Sequence, residues 1–423
     1  MANPSTRFSR LRIQGWRQFD SVDITLHDRL TVLTGANGAG KTSLLQIFSR
    51  HIGFSRPYFA TPRFDSNGTF AYLTGQFAAF FRRNLFLEKT ENQVGVLTYS
   101  NGAEASLELP NTTGAPQYQL QIKGQQPIEG VHIDSLSPIS NYQPVTSIPM
   151  HIVTPGQAYS TYNSEVVNKY QGGHTGSSPM YRMKESLIAM ATFGEGNRYV
   201  KGNRPVLDAY LGFIDILRKV LPEQVGFQAL EIRPPEIVVV TQSGEFMLDA
   251  SSGGLITLID VAWRLFMFSR EHKRFVVTMD EPENHLHPSM QRSLMPRLLE
   301  AFPDVQFIIA THSPFMVTAV RDSNVYVLRF VSGDLQGVSQ RRVTSEKLDA
   351  INKAGSAGEV LREVLGVPAT TPEWVEKELD EIVARYRQRD ITVPTLKELR
   401  QELSSRGYTE LYPDALAAIT DGQ

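Results

Sequence analysis

Three continuous apolar runs read as strands: Leu30-Thr31-Val32-Leu33, Phe275-Val276-Val277-Thr278-Met279 after Arg274, and Val305-Gln306-Phe307-Ile308-Ile309-Ala310. Met150-His151-Ile152-Val153 is read the same way. Val94 to Tyr99 and Ala105 to Leu109 flank Ser100-Asn101-Gly102, a hairpin signal, and Gln117 to Lys123 adds a further strand. Ile237 to Thr241 and Glu245 to Leu248 form a second hairpin around Ser243-Gly244. Helical spacing appears from Ser43 to Ser49, from Met180 to Phe193 and along a long apolar stretch from Ile256 to Phe268. Between Pro205 and Leu221 it places Leu207, Tyr210, Leu211, Ile214 and Leu217 on one face. Glu373 to Arg389 carries an apolar stripe, and Thr395-Leu396-Lys397-Glu398 is a capping box before another helix. Ser135 to Pro149 and Gln171 to Pro179 read as loops. The pattern is that of an α/β protein with a helical C-terminal end.

Where the first strand runs out, Gly35-Ala36-Asn37-Gly38-Ala39-Gly40-Lys41-Thr42 completes a G-x-x-x-x-G-K-[ST] string that opens into a helix. Glycines let backbone N–H groups close around phosphate oxygens, the helix N-terminus favours anions, Lys41 reaches the terminal phosphates, and Thr42 offers a hydroxyl to Mg²⁺. Asn37, Gly38, Ala39, Gly40, Lys41, Thr42 and Ser43 are the expected nucleotide contacts. The Phe275–Met279 strand ends in Asp280-Glu281, two carboxylates for two tasks: Asp280 to hold the metal and Glu281 to polarise the attacking water. The next strand ends in Thr311-His312-Ser313, which sets an imidazole at a strand terminus as a γ-phosphate sensor. Ser251-Ser252-Gly253-Gly254-Leu255 opens the long apolar helix and forms a second anion site, which we assign to a neighbour's nucleotide because the chain has its own cradle.

The ordered set of phosphate loop, Ser-Gly-Gly signature, Asp-Glu pair and strand-end His resembles an ABC-type ATPase. Asp280-Glu281-Pro282-Glu283-Asn284-His285-Leu286-His287-Pro288 is similar to the D-E-P-E-x-H-L-H-P string of the OLD and RecF-like branch, and Leu11-Arg12-Ile13-Gln14-Gly15-Trp16-Arg17-Gln18-Phe19 to the opening of SMC and RecF-type heads. The resemblance covers the beginning and the stretch from about Glu236 to Leu328. It implies an ABC-type P-loop ATPase head with a mixed central sheet, an antiparallel β lobe and a helical lobe, using ATP and Mg²⁺. Residues 1–335 would form it: β lobe and loops about 50–160, helical lobe about 161–235, and signature and Asp-Glu lobe 236–335. Residues 336–423 would be a C-terminal helical appendage. The resemblance also implies that Ser252, Gly253 and Gly254 clamp the partner subunit's ATP in a sandwiched homodimer, with larger assemblies open, and that Asn284 to His287 face the opposite subunit. A glutamine sensing γ-phosphate and Mg²⁺ is implied too. Gln157, after the Met150–Val153 run, is the choice, with Gln143 and Gln76 competing. Arg17 is read either as a nucleotide contact or as a solvated hairpin residue. Two departures, the lack of a glutamine closing the signature and His287 where ABC transporters place Asp, argue against a transporter.

The 423 residues suggest two or three compact units, and 41% hydrophobic content suffices for a core. A formal net charge of -2 gives no global attraction to DNA or anionic membranes, so nucleic acid enters only as a second partner class through a local patch. With no Cys, thiolate zinc sites, disulfides and cysteine nucleophiles are excluded. His285 and His287 share a face but lack a third ligand with convincing spacing, so no metal is assigned to them. No run approaches a membrane span and no signal segment opens the chain, so the expected location is cytoplasmic and no membrane partner is expected. Between Thr42 and Ser251 no heptad pattern appears, which excludes a long coiled-coil arm. No Toprim-like acidic cluster follows the ATPase. The expected role, as implied by the resemblance to stand-alone OLD-like ATPases of anti-phage defence, is therefore to gate a separate effector protein, a nuclease. The alternatives are a RecF-like repair ATPase that binds DNA and an ATP-stabilised scaffold.

Overall fold

Strands β1 (Phe8–Trp16), β2 (Phe19–Thr25) and β3 (Leu30–Gly35) precede the first helix, α1 (Lys41–Ser49). Nine short or medium strands and three helices follow: β4 (Tyr58–Phe59), β5 (Thr61–Phe64), β6 (Phe70–Leu73), β7 (Gln93–Tyr99), β8 (Glu104–Glu108), β9 (Gln117–Tyr118), β10 (Gln121–Lys123), β11 (Gly130–Ile133), α2 (Pro155–Tyr170), α3 (Pro179–Glu195), α4 (Arg204–Val220) and β12 (Phe227–Arg233). Then come β13 (Glu236–Thr241), β14 (Gly244–Met247), α5 (Gly253–Ser269), β15 (Val276–Asp280), α6 (Pro288–Ala301), β16 (Gln306–Ala310), β17 (Asn324–Leu335) and β18 (Val338–Lys347). The computed structural model describes residues 6–64, 70–74, 92–110, 115–135, 142–335, 338–349, 355–365, 372–387 and 389–420. Two compact units result, Met1–Val360 with Val364–Gly366, and Leu361–Glu363 with Val367–Gln423.

Eleven strands of the first unit form one mixed sheet in the order β10-β8-β7-β1-β2-β18-β17-β3-β16-β15-β11. From β17 to β11 every pairing is parallel, while β1, β2, β7, β8 and β10 pair antiparallel with one another and β2 meets β18 in parallel. β3, β15 and β16 are largely apolar and buried at every position because both faces are covered. Alternate residues divide between two cores: Val32, Val277, Met279, Phe307 and Ile309 pack with α2 to α6, and Leu33, Val276, Ile308 and Ala310 pack with α1 and the antiparallel strands. α4 follows the expected spacing, with Tyr210, Ile214 and Leu217 inward, though Leu211 is exposed. The second hairpin appears as β13 and β14, in a separate sheet with β12.

Three expectations change. The Met150–Val153 run is irregular: Met150 and Ile152 face solvent, so its apolar letters mark no buried strand. The strand beside β15 is instead β11, which pairs Ile133 with Met279. α2, which begins inside the expected β lobe and loops, escaped the periodicity reading because it buries few residues, among them Ala158, Tyr162 and Tyr170. Finally, position 335 falls at the tip of the β17–β18 hairpin, whose second strand pairs with β2 and belongs to the eleven-stranded sheet. Its text looks polar because, over 341–347, burial reaches only Arg342 and Val343.

The second unit contains helices Glu373–Arg387, Val393–Ser405 and Tyr412–Thr420, packed on Ile382, Val383, Tyr386, Leu399, Leu403, Ala415 and Ile419. Its helical character agrees with the stripe signal, but the capping box expected at Thr395 is not formed: the helix begins two residues earlier, capped by Thr392, whose hydroxyl accepts from the Thr395 N–H.

Candidate functional site

The phosphate loop begins where β3 can no longer tolerate a side chain. At Gly35, φ is +137° and a Cβ would stand 2.5 Å from the Leu328 carbonyl oxygen on neighbouring β17. Gly40 adopts the left-handed conformation as the residue that caps α1. A Cβ there would meet Gln18 Nε2 and Phe19 Cζ at 2.4 Å, so the β1–β2 turn lies directly on the loop. Gln18 also donates from Nε2 to the Gly38 carbonyl at 3.3 Å. Asn37 and Gly38 are exposed, Ala39 is buried, and Thr42 faces solvent from the first turn of α1, followed by half-buried Ser43. Arg17, in the same turn, has φ +53° and places its guanidinium 5.6 Å from the Tyr58 ring centroid.

Parallel pairing of β15, β16 and β3 brings the chemistry together, since all three strands end on the same edge. Lys41 Nζ donates to the carbonyls of Gly35 at 3.0 Å and Ala36 at 3.2 Å and lies 3.3 Å from His312 Nδ1. An ammonium only donates, so Nδ1 accepts and this network assigns the ring proton to Nε2. His312 Nε2 stands 3.5 Å from Glu281 Oε1. Glu281 itself holds φ +46°, an uncommon backbone for a non-glycine residue, at the point where the chain leaves β15. Asn284 Nδ2 donates to Glu281 Oε2 and to the Ser135 carbonyl, both at 3.2 Å.

Glu283, to which the motifs give no task, fixes the turn that carries His312. Its Oε1 accepts from Thr311 Oγ1 at 2.6 Å, from the His312 N–H at 2.7 Å and from the Ser313 N–H at 3.1 Å. The signal was available only as a carboxylate three residues after Asp280. Asp134 was also missed. It follows β11 beside the end of β15, accepts from Arg56 Nη2 at 3.1 Å and contributes to raising the Asp280 carboxyl.

Thr42 Oγ1 donates to Asp280 Oδ1 at 3.2 Å. A hydroxyl and a carboxylate facing one another at a helix N-terminus suit a hard cation with oxygen ligands, so these two residues fit Mg²⁺. Burial raises the Asp280 carboxyl to about 6, with Glu281 and Asp134 adding to the rise. Burial likewise lowers the Lys41 ammonium to about 8 against the pull of the surrounding carboxylates, and His312 is pushed down by burial and by Lys41. Both cradle charges are thus held at a cost that a bound anion and a cation would offset.

Ser252 caps α5, its hydroxyl accepting from the Leu255 N–H. Ser252 and Gly253 are exposed, whereas Gly254 is buried against the His285 carbonyl. His285, at φ +66°, therefore seats the loop after Glu281 against the signature helix. His287 caps α6 through Ser289 rather than turning toward His285 as a metal pair. Among the described residues no cluster of His, Cys, Asp and Glu forms a metal cage.

Gln157 is not brought to this group. It occupies the third position of α2 and completes a capping box with Thr154: its own N–H donates to the Thr154 hydroxyl at 3.3 Å, and its Oε1 accepts from the Thr154 N–H at 3.0 Å. Gln143 is engaged with Gly176 and Ser178. Gln76 lies outside the described residues.

Residues 248–318 match a protein family described as "AAA domain, putative AbiEii toxin, Type IV TA system", and residues 10–71 match an "AAA domain" family. The two stretches hold the cradle on one side and the signature, Asp280-Glu281 and His312 on the other. The chain is 29% identical over 178 residues to the "Retron Ec83 probable ATPase" of Escherichia coli, covering 40% of this chain and 30% of that protein. It is 30% identical over 102 residues to the "Retron Vc95 probable ATPase" of Vibrio cholerae serotype O1 biovar El Tor, covering 22% and 20%. To the "Septu protein PtuA" of Bacillus mycoides (strain KBAB4) it is 28% identical over 144 residues, covering 33% and 19%. The matched stretches thus span less than a third of each relative. Among solved structures, the SMC head domain from Thermotoga maritima overlays with a TM-score of 0.40 at 18% identity, covering 81% of this chain and 99% of that one. No helix among the described residues is long and apolar enough to cross a membrane.

Proposed function

We propose that this chain, an ABC-type ATPase of the SMC and RecF-like branch, binds and hydrolyses ATP between two copies of itself. Its closing and loosening would then gate a separate effector protein, a nuclease, in anti-phage defence. The observation that carries the reading is the convergence of Lys41, Thr42, Asp280, Glu281 and His312 at one sheet edge. Ser252 and Gly253 are exposed on the same chain.

The phosphate chain would replace the Gly35 and Ala36 carbonyls as the partner of Lys41, which releases the amine from its present bonds and favours its charged form. Mg²⁺, held by Thr42 and Asp280, would supply neutralisation of phosphate charge. Glu281 takes a proton from the attacking water as its oxygen bonds to the γ-phosphorus. The bond from that phosphorus to the bridging oxygen breaks, leaving ADP and phosphate. His312, held by Glu283, donates from Nε2 toward Glu281 or the new phosphate oxygen and so reports the γ-phosphate to the strand end. Loss of that phosphate removes the bridge to the partner's Ser252, and the pair loosens.

Glu281→Gln tests this directly. Turnover is expected to fall about a hundredfold or more, because the base is gone, while ATP-dependent association persists. A variant that neither retains ATP nor stays associated overturns the reading. Measuring hydrolysis with and without DNA separates it from a DNA-clamping repair ATPase, for which DNA stimulation would fall steeply with salt. Negligible wild-type turnover would leave the scaffold reading.

A further inference from the structure

Lys184 is wholly buried on α3, yet both carboxylates it meets belong to the hairpin that leads into the signature. Its Nζ donates to Asp249 Oδ2 at 2.7 Å and to the Gln143 carbonyl at 2.7 Å, and lies 3.5 Å from Glu236 Oε2. Tyr142 closes the cluster: its hydroxyl donates to Glu236 Oε1 at 2.5 Å and its ring centroid sits 5.2 Å from Nζ. Three donors meet three acceptors, so the charge is satisfied although no solvent reaches it.

The placement of the two carboxylates gives the cluster its meaning. Glu236 is the first residue of β13, and Asp249 sits in the tight turn Leu248–Ala250 immediately after β14. One ammonium therefore ties the entrance of the hairpin to its exit. The exit delivers Ser251 and Ser252, whose backbone angles set the N-terminus of α5. Fixing Asp249 fixes the direction in which Ser252 and Gly253 are presented, three and four residues further on.

We propose that Lys184 is a positioning residue for the signature half-site, acting through Asp249 on the face that would contact a second copy's triphosphate. The proposal rests on the two-copy reading above. Its removal leaves the cradle of the same chain untouched and disables only what that chain offers to its partner.

Mixing experiments with full-length variants read this out. Ser252→Arg lacks a signature and Lys41→Ala lacks a cradle. Mixed in equal amounts they should recover about a quarter of wild-type turnover, since half the pairs are mixed and each holds one complete site. Lys184→Met alone is expected to bind a fluorescent ATP analogue as wild type does and to lose turnover about tenfold or more through misplacement of the half-site. It should be rescued by Lys41→Ala and not by Ser252→Arg. Asp249→Asn, which keeps the side-chain shape, should fall in the same class, so the test stands even where Lys184→Met fails to fold. Wild-type turnover in Asp249→Asn, or rescue of either variant by Ser252→Arg, overturns the assignment of Lys184. Failure of the Ser252→Arg and Lys41→Ala mixture itself would instead sink the two-copy reading.

Discussion

Two adjacent glycines in the signature should separate stability from function. Gly253 and Gly254 are the first two residues of α5 and neither has a positive φ, so alanine suits their backbone. A Cβ on Gly253 would come no closer than 3.7 Å to His285 Cβ, an ordinary contact. On Gly254 it would stand 2.8 Å from the His285 carbonyl oxygen, which is backbone and is held by a residue already at φ +66°. Gly253→Ala should therefore be neutral or stabilising by up to about 1 kcal/mol, from the unfolded chain's lost freedom and helix propensity. Gly254→Ala gains the same term but loses about 1–3 kcal/mol to overpacking, so the two variants should differ by about 2 kcal/mol. Urea unfolding followed by tryptophan fluorescence, with Trp263 buried in α5, reports the difference. Turnover should behave otherwise and fall in both variants, because the exposed Gly253 is the one that approaches the partner's nucleotide in the proposed pair. Equal stabilities, or Gly254→Ala the more stable of the two, would refute the seating of His285 on the signature. Full activity in Gly253→Ala would refute the clamp.

Asp280 makes stability without Mg²⁺ depend on pH: its carboxyl is raised to about 6, so between about 4 and 6 the folded chain keeps a proton that the unfolded chain releases. Stability should fall as pH rises through that window, by up to about 3 kcal/mol, and Asp280→Asn should flatten the dependence in pH-resolved thermal unfolding while abolishing Mg²⁺-dependent hydrolysis. Glu283→Ala leaves the Thr311 hydroxyl and the His312 N–H without their acceptor, while the Ser313 N–H keeps Thr311 Oγ1 at 2.9 Å, a loss of about 2–4 kcal/mol local to that turn. It should lower turnover more than ATP affinity, as steady-state kinetics beside a binding titration would show. In the second unit, Leu403→Ala should cost about 2–5 kcal/mol and collapse amide-exchange protection in the helices Glu373–Arg387 and Tyr412–Thr420, since Leu403 is fully buried among them.

What could be read from the letters and what could not divide along a physical line. β3, β15 and β16 announce themselves because a strand covered on both faces must be largely apolar, and Gly35 and Asp280, which end β3 and β15, and Thr311, just past the end of β16, are placed by the sheet edge itself. β11 has four residues and owes its position to parallel pairing with β15, a relation between distant segments that no local window contains. Missing it transferred the expectation of a γ-phosphate sensor to Gln157, whose real task was also written locally: Thr154 and Gln157 stand three apart, the spacing of a capping box. β18 was missed for the opposite reason, since its one strongly apolar inward residue among 341–347, Val343, cannot produce an alternation. Lys184 shows the limit most plainly: a lysine inside an amphipathic helix reads as solvated, and only the folded chain reveals that its three acceptors come from segments 41, 52 and 65 residues away. Motifs that bind phosphate are thus local in sequence because a loop and a helix end suffice to build them, whereas the parts that aim them are assembled from distance and become visible only in the structure.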